Sequence, residues 1–245
     1  MNVLEVQGLT KHYPAFTLNG VSFAVPEGAV MGFIGRNGAG KSTTLKSILG
    51  MVHPDAGEVK VFGMDYAANE RAIRRELGVV LGGIDFYPKK KIRVITDVTR
   101  RFYDNWDENK YRHYLRLFAI DEEKRVDELS SGMKVKYMIA LALSHNAKLL
   151  ILDEPTSGLD PVSRDELAEL LRRIVADSTR SVLFSTHITS DLEKCATHIA
   201  FIKDGELQYT GSLEDFRAHY KDVGTTLEDI IVHVERRPLD EDAIL

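Results

Sequence analysis

The stretch Gly35-Arg36-Asn37-Gly38-Ala39-Gly40-Lys41-Ser42-Thr43 constrains this chain more than any other. It spells G-x-x-x-x-G-K-[ST] between an apolar run, Ala29 to Ile34, and a helical pattern. Glycines so placed let successive backbone N–H groups converge on phosphate oxygens. Lys41 supplies a cation for the β- and γ-phosphates, and the Ser42 hydroxyl is a ligand for Mg²⁺. The following helix starts at the anion, its positive end toward the ligand. Leu45, Ile48, Leu49 and Val52 recur at i, i+3, i+4 and i+7, which predicts one face packed on a sheet. A glycine-rich turn with a coincidental Lys-Ser is the competing reading, and it does not require strand and helix to flank the loop.

Alternating apolar patterns at Val3 to Val6 and Val21 to Val25, separated by Tyr13-Pro14, predict a small antiparallel sheet before the loop. Tyr13 has two readings. A ring on an exposed turn stacks on a nucleobase for about 1–3 kcal/mol, whereas the local sequence favours a partly buried structural tyrosine. His53-Pro54-Asp55-Ala56-Gly57 then stops the first helix, Glu58 to Phe62 reads as a strand, Asn69 to Leu77 as an amphipathic helix and Gly78 to Leu81 as a buried strand. From Gly82 to about Ala147 aromatic and basic residues rise. Helical patterns around Val94 to Tyr103 and Glu108 to Phe118 predict a helical subdomain inserted in an α/β core. The run Lys89-Lys90-Lys91-Ile92-Arg93 reads as a solvated loop, the alternative being a face for anionic lipid or an acidic partner. Phe86, Tyr87, Phe102, Tyr103 and Trp106 form either a docking surface or the subdomain's own core.

Leu129-Ser130-Ser131-Gly132-Met133 precedes a helix with Val135, Met138, Ile139 and Ala142 on one face. A Ser-Ser-Gly turn there serves as a cap, and also as a phosphate-binding helix start. Leu149 to Leu152 is an unbroken apolar run, suited to the middle of a parallel sheet, and it ends in Asp153-Glu154-Pro155. Two carboxylates at a strand's carboxyl end are costly unless metal, water or hydrogen bonds use them. Asp153 is placed to serve Mg²⁺, and Glu154 to polarise a water for attack on a γ-phosphate. Ser157-Gly158-Leu159-Asp160-Pro161 is a turn into a helix. Ser181 to Ser185 is another core strand with Thr186-His187 at its end. Open α/β sheets bind ligands outside the carboxyl ends of their strands, which makes His187 a candidate γ-phosphate contact. Asp191 to Ala196 reads as a helix, His198 to Lys203 and Glu206 to Thr210 as strands joined at Asp204-Gly205, and the tail after Leu213 as two short helices and an acidic end.

Composition narrows the classes. No apolar run approaches the roughly 18 residues that span a bilayer and no signal-peptide pattern opens the chain, so a cytoplasmic location is expected. Cys195 is the only cysteine, which excludes intramolecular disulfides and predicts a small packed helical residue. A net charge of −5 argues against a nucleic-acid surface, and no nucleic acid is expected as a partner.

In this order the residues resemble the nucleotide-binding subunit of an ATP-binding cassette (ABC) transporter, up to about Gly211. Tyr13 matches that family's adenine-stacking aromatic, Gly35 to Thr43 its Walker A loop, Leu149 to Asp153 with Glu154 its Walker B strand and catalytic carboxylate, Ser157 to Asp160 its D-loop and His187 its switch histidine. Leu129 to Met133 is similar to its signature, written Leu-Ser-Gly-Gly-Gln. The resemblance implies an α/β P-loop NTPase core with a mixed sheet, an N-terminal antiparallel β-subdomain and an inserted helical subdomain at about 83–147. The ATPase domain would span 1–220, with 221–245 a short C-terminal extension. It implies ATP and Mg²⁺ as cofactors, bound by Tyr13 and by Asn37, Gly38, Ala39, Gly40, Lys41, Ser42 and Thr43, with Ser42 and Asp153 on the metal and Glu154 and His187 catalytic. A second ATPase subunit would pair head to tail, as a homo- or heterodimer, so that Ser130 and Gly132 of one chain close on the other's ATP. A separate transmembrane permease is implied, with this chain peripheral at the inner face of the cell membrane. The signature and the run Ser185 to Glu193 look most like bacterial exporter subunits.

Two motifs depart from the family. Ser131 and Met133 replace a glycine and the glutamine of the signature, and Gly82 stands where the Q-loop glutamine is expected, so the side chain that links Mg²⁺ and the attacking water to the membrane partner is missing. A soluble ABC ATPase powering an assembly complex without a membrane partner is the competing function. A nucleotide sensor with negligible turnover is a third, against which Glu154 and His187 argue.

Overall fold

The structure, a computed structural model, describes residues 1–81 and 87–235; Gly82 and Phe86, with the readings attached to them, and the acidic end at 236–245 lie outside the described residues. The apolar runs form the sheet expected of them. Strands β3 (Val30–Ile34), β6 (Leu77–Leu81), β7 (Leu149–Asp153), β8 (Ser181–Thr186), β9 (His198–Lys203) and β10 (Glu206–Ser212) make a six-stranded sheet in the order β10-β9-β3-β8-β7-β6. All neighbours are parallel except the edge strand β10. β3 and β8 are buried along their whole length, because helices and a second sheet cover both faces. That second sheet is antiparallel, β2-β1-β4-β5, from β1 (Asn2–Tyr13), β2 (Phe16–Pro26), β4 (Ala56–Val61) and β5 (Met64–Asp65).

Two cores sandwich the large sheet. One lies between it and the antiparallel sheet, where α1 (Lys41–Ile48) inserts Leu45 and Ile48 beside Met31, Phe33 and Leu183. The other is closed by α6 (Pro161–Val175), α7 (Thr189–Cys195), α8 (Leu213–His219) and α9 (Leu227–Glu235), which bury Leu167, Leu171, Leu192, Cys195, Phe216, Leu227 and Ile230. Cys195 is a packed helical residue as predicted, and burial pushes its thiol up to about 12.

The region expected to be helical is helical among its described residues. It holds α3 (Ile92–Thr99), a 3₁₀ turn at Arg100–Phe102, α4 (Glu108–Leu117) and α5 (Ser131–Ser144) around a third core that includes Ile92, Ile95, Tyr111, Leu115 and Tyr137. At its centre the Thr96 hydroxyl meets the Tyr111 and Tyr137 hydroxyls at 2.7 and 2.8 Å, so the polar groups carried inside satisfy one another. α5 serves two cores: Val135, Ile139 and Ala142 face the large sheet, and Tyr137 and Leu141 face the subdomain.

Several boundaries differ from the sequence expectation. The helix expected over Asn69 to Leu77 is α2 (Tyr66–Arg74): the Asp65 carboxylate accepts from Ala68 N at 2.8 Å and starts it early, and Leu77 is taken by β6, paired with Leu149. Val52 lies past the end of α1, because the chain turns at Gly50 with a left-handed φ of +67°. β1 and β2 run well beyond their short alternating cores, since they pair along their length. Only the lysines of the basic run form a solvated loop, tied by Lys89 to Asp127 and by Lys91 to Glu123, both at 2.6 Å, whereas Ile92 and Arg93 begin α3 and Ile92 is buried in its core. The aromatic set divides: Trp106 packs on Tyr111 and Tyr103 stacks on the buried His145, whereas Tyr87 and Phe102 stay 67% and 71% exposed.

β6 has no room for a larger residue at its second position. A Cβ on Gly78 would lie 2.5 Å from the Ala142 Cβ, a contact neither side can relieve by rotating. Gly78→Ala is expected to lower stability by about 1–3 kcal/mol, read as a shifted urea midpoint at unchanged slope; an unchanged midpoint would show that α5 is free to move off the sheet.

Candidate phosphate and carboxylate site

The loop after β3 is folded by close approach. A Cβ on Gly35 would lie 2.3 Å from the Ile202 carbonyl oxygen of β9, and Gly40 takes φ +113°, so neither position suits another residue. Lys41, the first residue of α1, is only 5% exposed. Its Nζ donates to the carbonyls of Gly35 (2.7 Å) and Arg36 (3.2 Å), and Glu154 Oε1 stands 3.1 Å away. The ammonium thus closes the loop on itself while facing the next two strands.

Parallel register delivers the other groups. Ile34 of β3 is level with Thr186 of β8, and Leu152 of β7 with Phe184, so Gly35, His187 and Asp153-Glu154 all leave the sheet at one end. His187 Nδ1 lies 2.8 Å from Glu154 Oε2, so the two oxygens of one carboxylate reach the lysine and the imidazole. Glu154 has a left-handed φ of +50° ahead of Pro155, a strained conformation for this residue type. The Ser185 hydroxyl holds it there: it accepts from Glu154 N at 2.8 Å and donates to Asp153 Oδ1 at 2.5 Å. Ser185 is a residue of the candidate site that sequence reasoning missed. Its signal was a small hydroxyl residue two positions before His187 at the end of a buried strand.

The remaining candidates are dispersed. Tyr13, at the end of β1, is 40% exposed, which corrects the local-sequence preference for a partly buried ring: the hairpin tip carries it clear of the core. Lys11 Nζ lies 5.9 Å from the ring centroid and is itself held by Asp55 at 2.7 Å, and that hydrogen bond draws the Asp55 carboxyl down to about 2. Ser130 caps α5 by accepting from Met133 N at 3.2 Å, and a Cβ placed on Gly132 would meet Ser163 and Leu159 at ordinary contact distance. Neither joins the cluster of Lys41, Glu154 and His187 within one chain. Asn37 and Gly38 are exposed in the loop, Ala39 and Gly40 are buried, and Ser42 and Thr43 are half-buried in the first turn of α1.

These residues suit a phosphate ligand with a hard cation. The loop and α1 supply N–H donors and an ammonium, and Ser42 and the half-buried Asp153 supply oxygen donors. No group of three or more His, Cys, Asp or Glu among the described residues could hold a metal ion unaided.

The sequence pattern of the ABC transporter family matches residues 18–157. The chain is 32% identical over 208 residues to the bacitracin transport ATP-binding protein BcrA of Bacillus licheniformis, covering 84% of this chain and 68% of that one. It is 35% identical over 208 residues to the Nod factor export ATP-binding protein I of Burkholderia orbicola, covering 82% and 68%. Among solved structures, an ATP-binding subunit of an ABC transporter superposes with a TM-score of 0.84 at 29% identity, covering 96% of this chain and 100% of that one.

Ser185 yields the test of this geometry. Ser185→Ala leaves the Asp153 carboxylate and the Glu154 N–H each short of a partner, so stability is expected to fall by about 1–3 kcal/mol in urea denaturation. Unchanged stability would mean that water takes over both bonds.

Proposed function

The chain belongs to the ABC transporter family and is an ATPase of that family's fold, and on that premise we propose that it closes with a second ATPase subunit around two ATP·Mg²⁺ and energises a separate membrane permease that works in export. The observation that carries this reading is the carboxylate of Glu154, held between Lys41 at 3.1 Å and His187 at 2.8 Å. In the proposed reaction Lys41 exchanges Glu154 for β- and γ-phosphate oxygens, while the loop N–H groups from Asn37 to Thr43 hold the phosphate chain. Glu154, released on that side, accepts a proton from the water that attacks the γ-phosphorus as the bond to ADP breaks. His187 keeps the carboxylate oriented through its other oxygen and reaches the γ-phosphate. Ser42 and Asp153 would hold Mg²⁺, which when bound neutralises phosphate charge, and Ser185 fixes the Asp153 carboxylate for that task. Tyr13, exposed at its hairpin tip, stacks on adenine.

Ser130 and Gly132 act on the ATP of the partner subunit, which accords with their distance from the cluster within one chain. The ATPase domain is assigned to 1–220, with the helical subdomain at about 83–147 and 221–245 as a C-terminal extension. No helix among the described residues is long and apolar enough to cross a membrane. In this reading the membrane path belongs to the permease, and the chain sits at its inner face. Export follows relatives named for bacitracin transport and Nod factor export, and these favour it over the soluble assembly reading.

Glu154→Gln keeps the shape of the carboxylate and removes the base. ATP is expected to stay bound while turnover falls at least about 100-fold, and ATP·Mg²⁺ is expected to trap a dimer on size exclusion, measured also with the permease complex in case the partner is a different subunit. Turnover at the wild-type rate, or a monomer under both conditions, would contradict the proposal.

A further inference from the structure

Beside the phosphate loop lies a cavity of about 290 Å³, walled by Arg36, Asn37, Gly38 and Ala39 on one side and by Asp204 and Glu235 on the other. Glu235 is the last residue of α9 and is 9% exposed; its Oε1 is shut off from solvent and accepts no hydrogen bond. The end of the helix cannot easily withdraw it. Lys203 Nζ donates to the Val234 carbonyl at 2.7 Å, and Leu227 and Ile230 are buried in the core beneath. Among the described residues, the charged groups that line the cavity with Glu235 are Arg36 on the loop and Asp204 on the turn after β9, and Lys203 is tied to the neighbouring Val234 carbonyl. A buried carboxylate oxygen with no hydrogen-bond partner is costly to keep in a fold, and this one shares a cavity with a loop built to receive anions.

We propose that Glu235 is a negative determinant of nucleotide affinity: a fixed charge at the end of the C-terminal helix that opposes phosphate binding on the loop, so that ATP binding and the docking of the α9 end are antagonistic. The inference rests on the phosphate-loop reading. Repulsion from a fixed charge grows with the charge of the ligand, so it weighs most on ATP, less on ADP and least on AMP. It weakens with salt only as far as the bound phosphates are solvated, because a buried charge such as that of Glu235 is screened much less than an exposed one. By linkage the antagonism is mutual, and ATP binding loosens the end of α9 as much as the docked helix weakens ATP.

Calorimetric titration of the full chain with ATP, ADP and AMP, at low and high salt, tests this in wild type, Glu235→Gln and Glu235→Lys, with thermal melting to establish that both variants fold. Glu235→Gln is expected to bind ATP about three- to tenfold more tightly at low salt, ADP less so and AMP unchanged, with a larger gain in Glu235→Lys and a smaller gain for both at high salt. Unchanged ATP affinity in both variants, or equal gains for all three nucleotides, would overturn the proposal while leaving the phosphate loop standing. A wild-type chain that binds no ATP would overturn the loop reading and this inference with it.

Discussion

Lys41 and Glu154 face each other across 3.1 Å at the carboxyl end of the central sheet, and the site is arranged around that contact. A nearly buried ammonium needs a counter-charge and hydrogen-bond acceptors. It finds the acceptors in the carbonyls of its own loop and the charge in the neighbouring strand. The same carboxylate binds His187 on the next strand over. One side chain therefore links the loop after β3 to the ends of β7 and β8, and a ligand that claims the lysine alters the environment of the base and the histidine together.

That link depends on backbone placement more than on side-chain reach. β3, β8 and β7 are parallel and in register, so their terminal residues emerge together. Glu154 is then turned outward by a left-handed φ that only its bond to Ser185 and its proline neighbour make sense of. Strain of this kind persists where the surroundings over-determine it. Here the surroundings are two strands, a serine and a lysine. α5 extends the same frame outward, since it packs on the sheet with one face and carries the helical subdomain on the other, placing the cap at Ser130 on a rigid lever.

Much of this was legible in the sequence because it is local. The phosphate loop is a contiguous string with a strand before it and a helix after it, and Asp153-Glu154 announces itself as charge at the end of an apolar run. Helix α2 was misjudged at both ends because Asp65 caps it from outside the apolar pattern and Leu77 pairs with a strand more than seventy positions away. The exposure of Tyr13 was hidden because the length of the β1–β2 hairpin is set by pairing and not by its alternation. Ser185 looked like one more strand residue; its role exists only once β7 and β8 lie side by side. Glu235 drew no reading in the sequence, since nothing in its neighbourhood there indicates that α9 returns to the phosphate loop.

The central claim is that Lys41 is the phosphate-binding cation and that its bonds to Gly35, Arg36 and Glu154 are those a nucleotide displaces. Calorimetric titration of ATP into Lys41→Ala, with thermal melting to establish a folded chain, tests it most directly. The account predicts a folded protein that gives no binding heat at ATP concentrations that saturate the wild type. A folded variant that still binds ATP with micromolar affinity would contradict it.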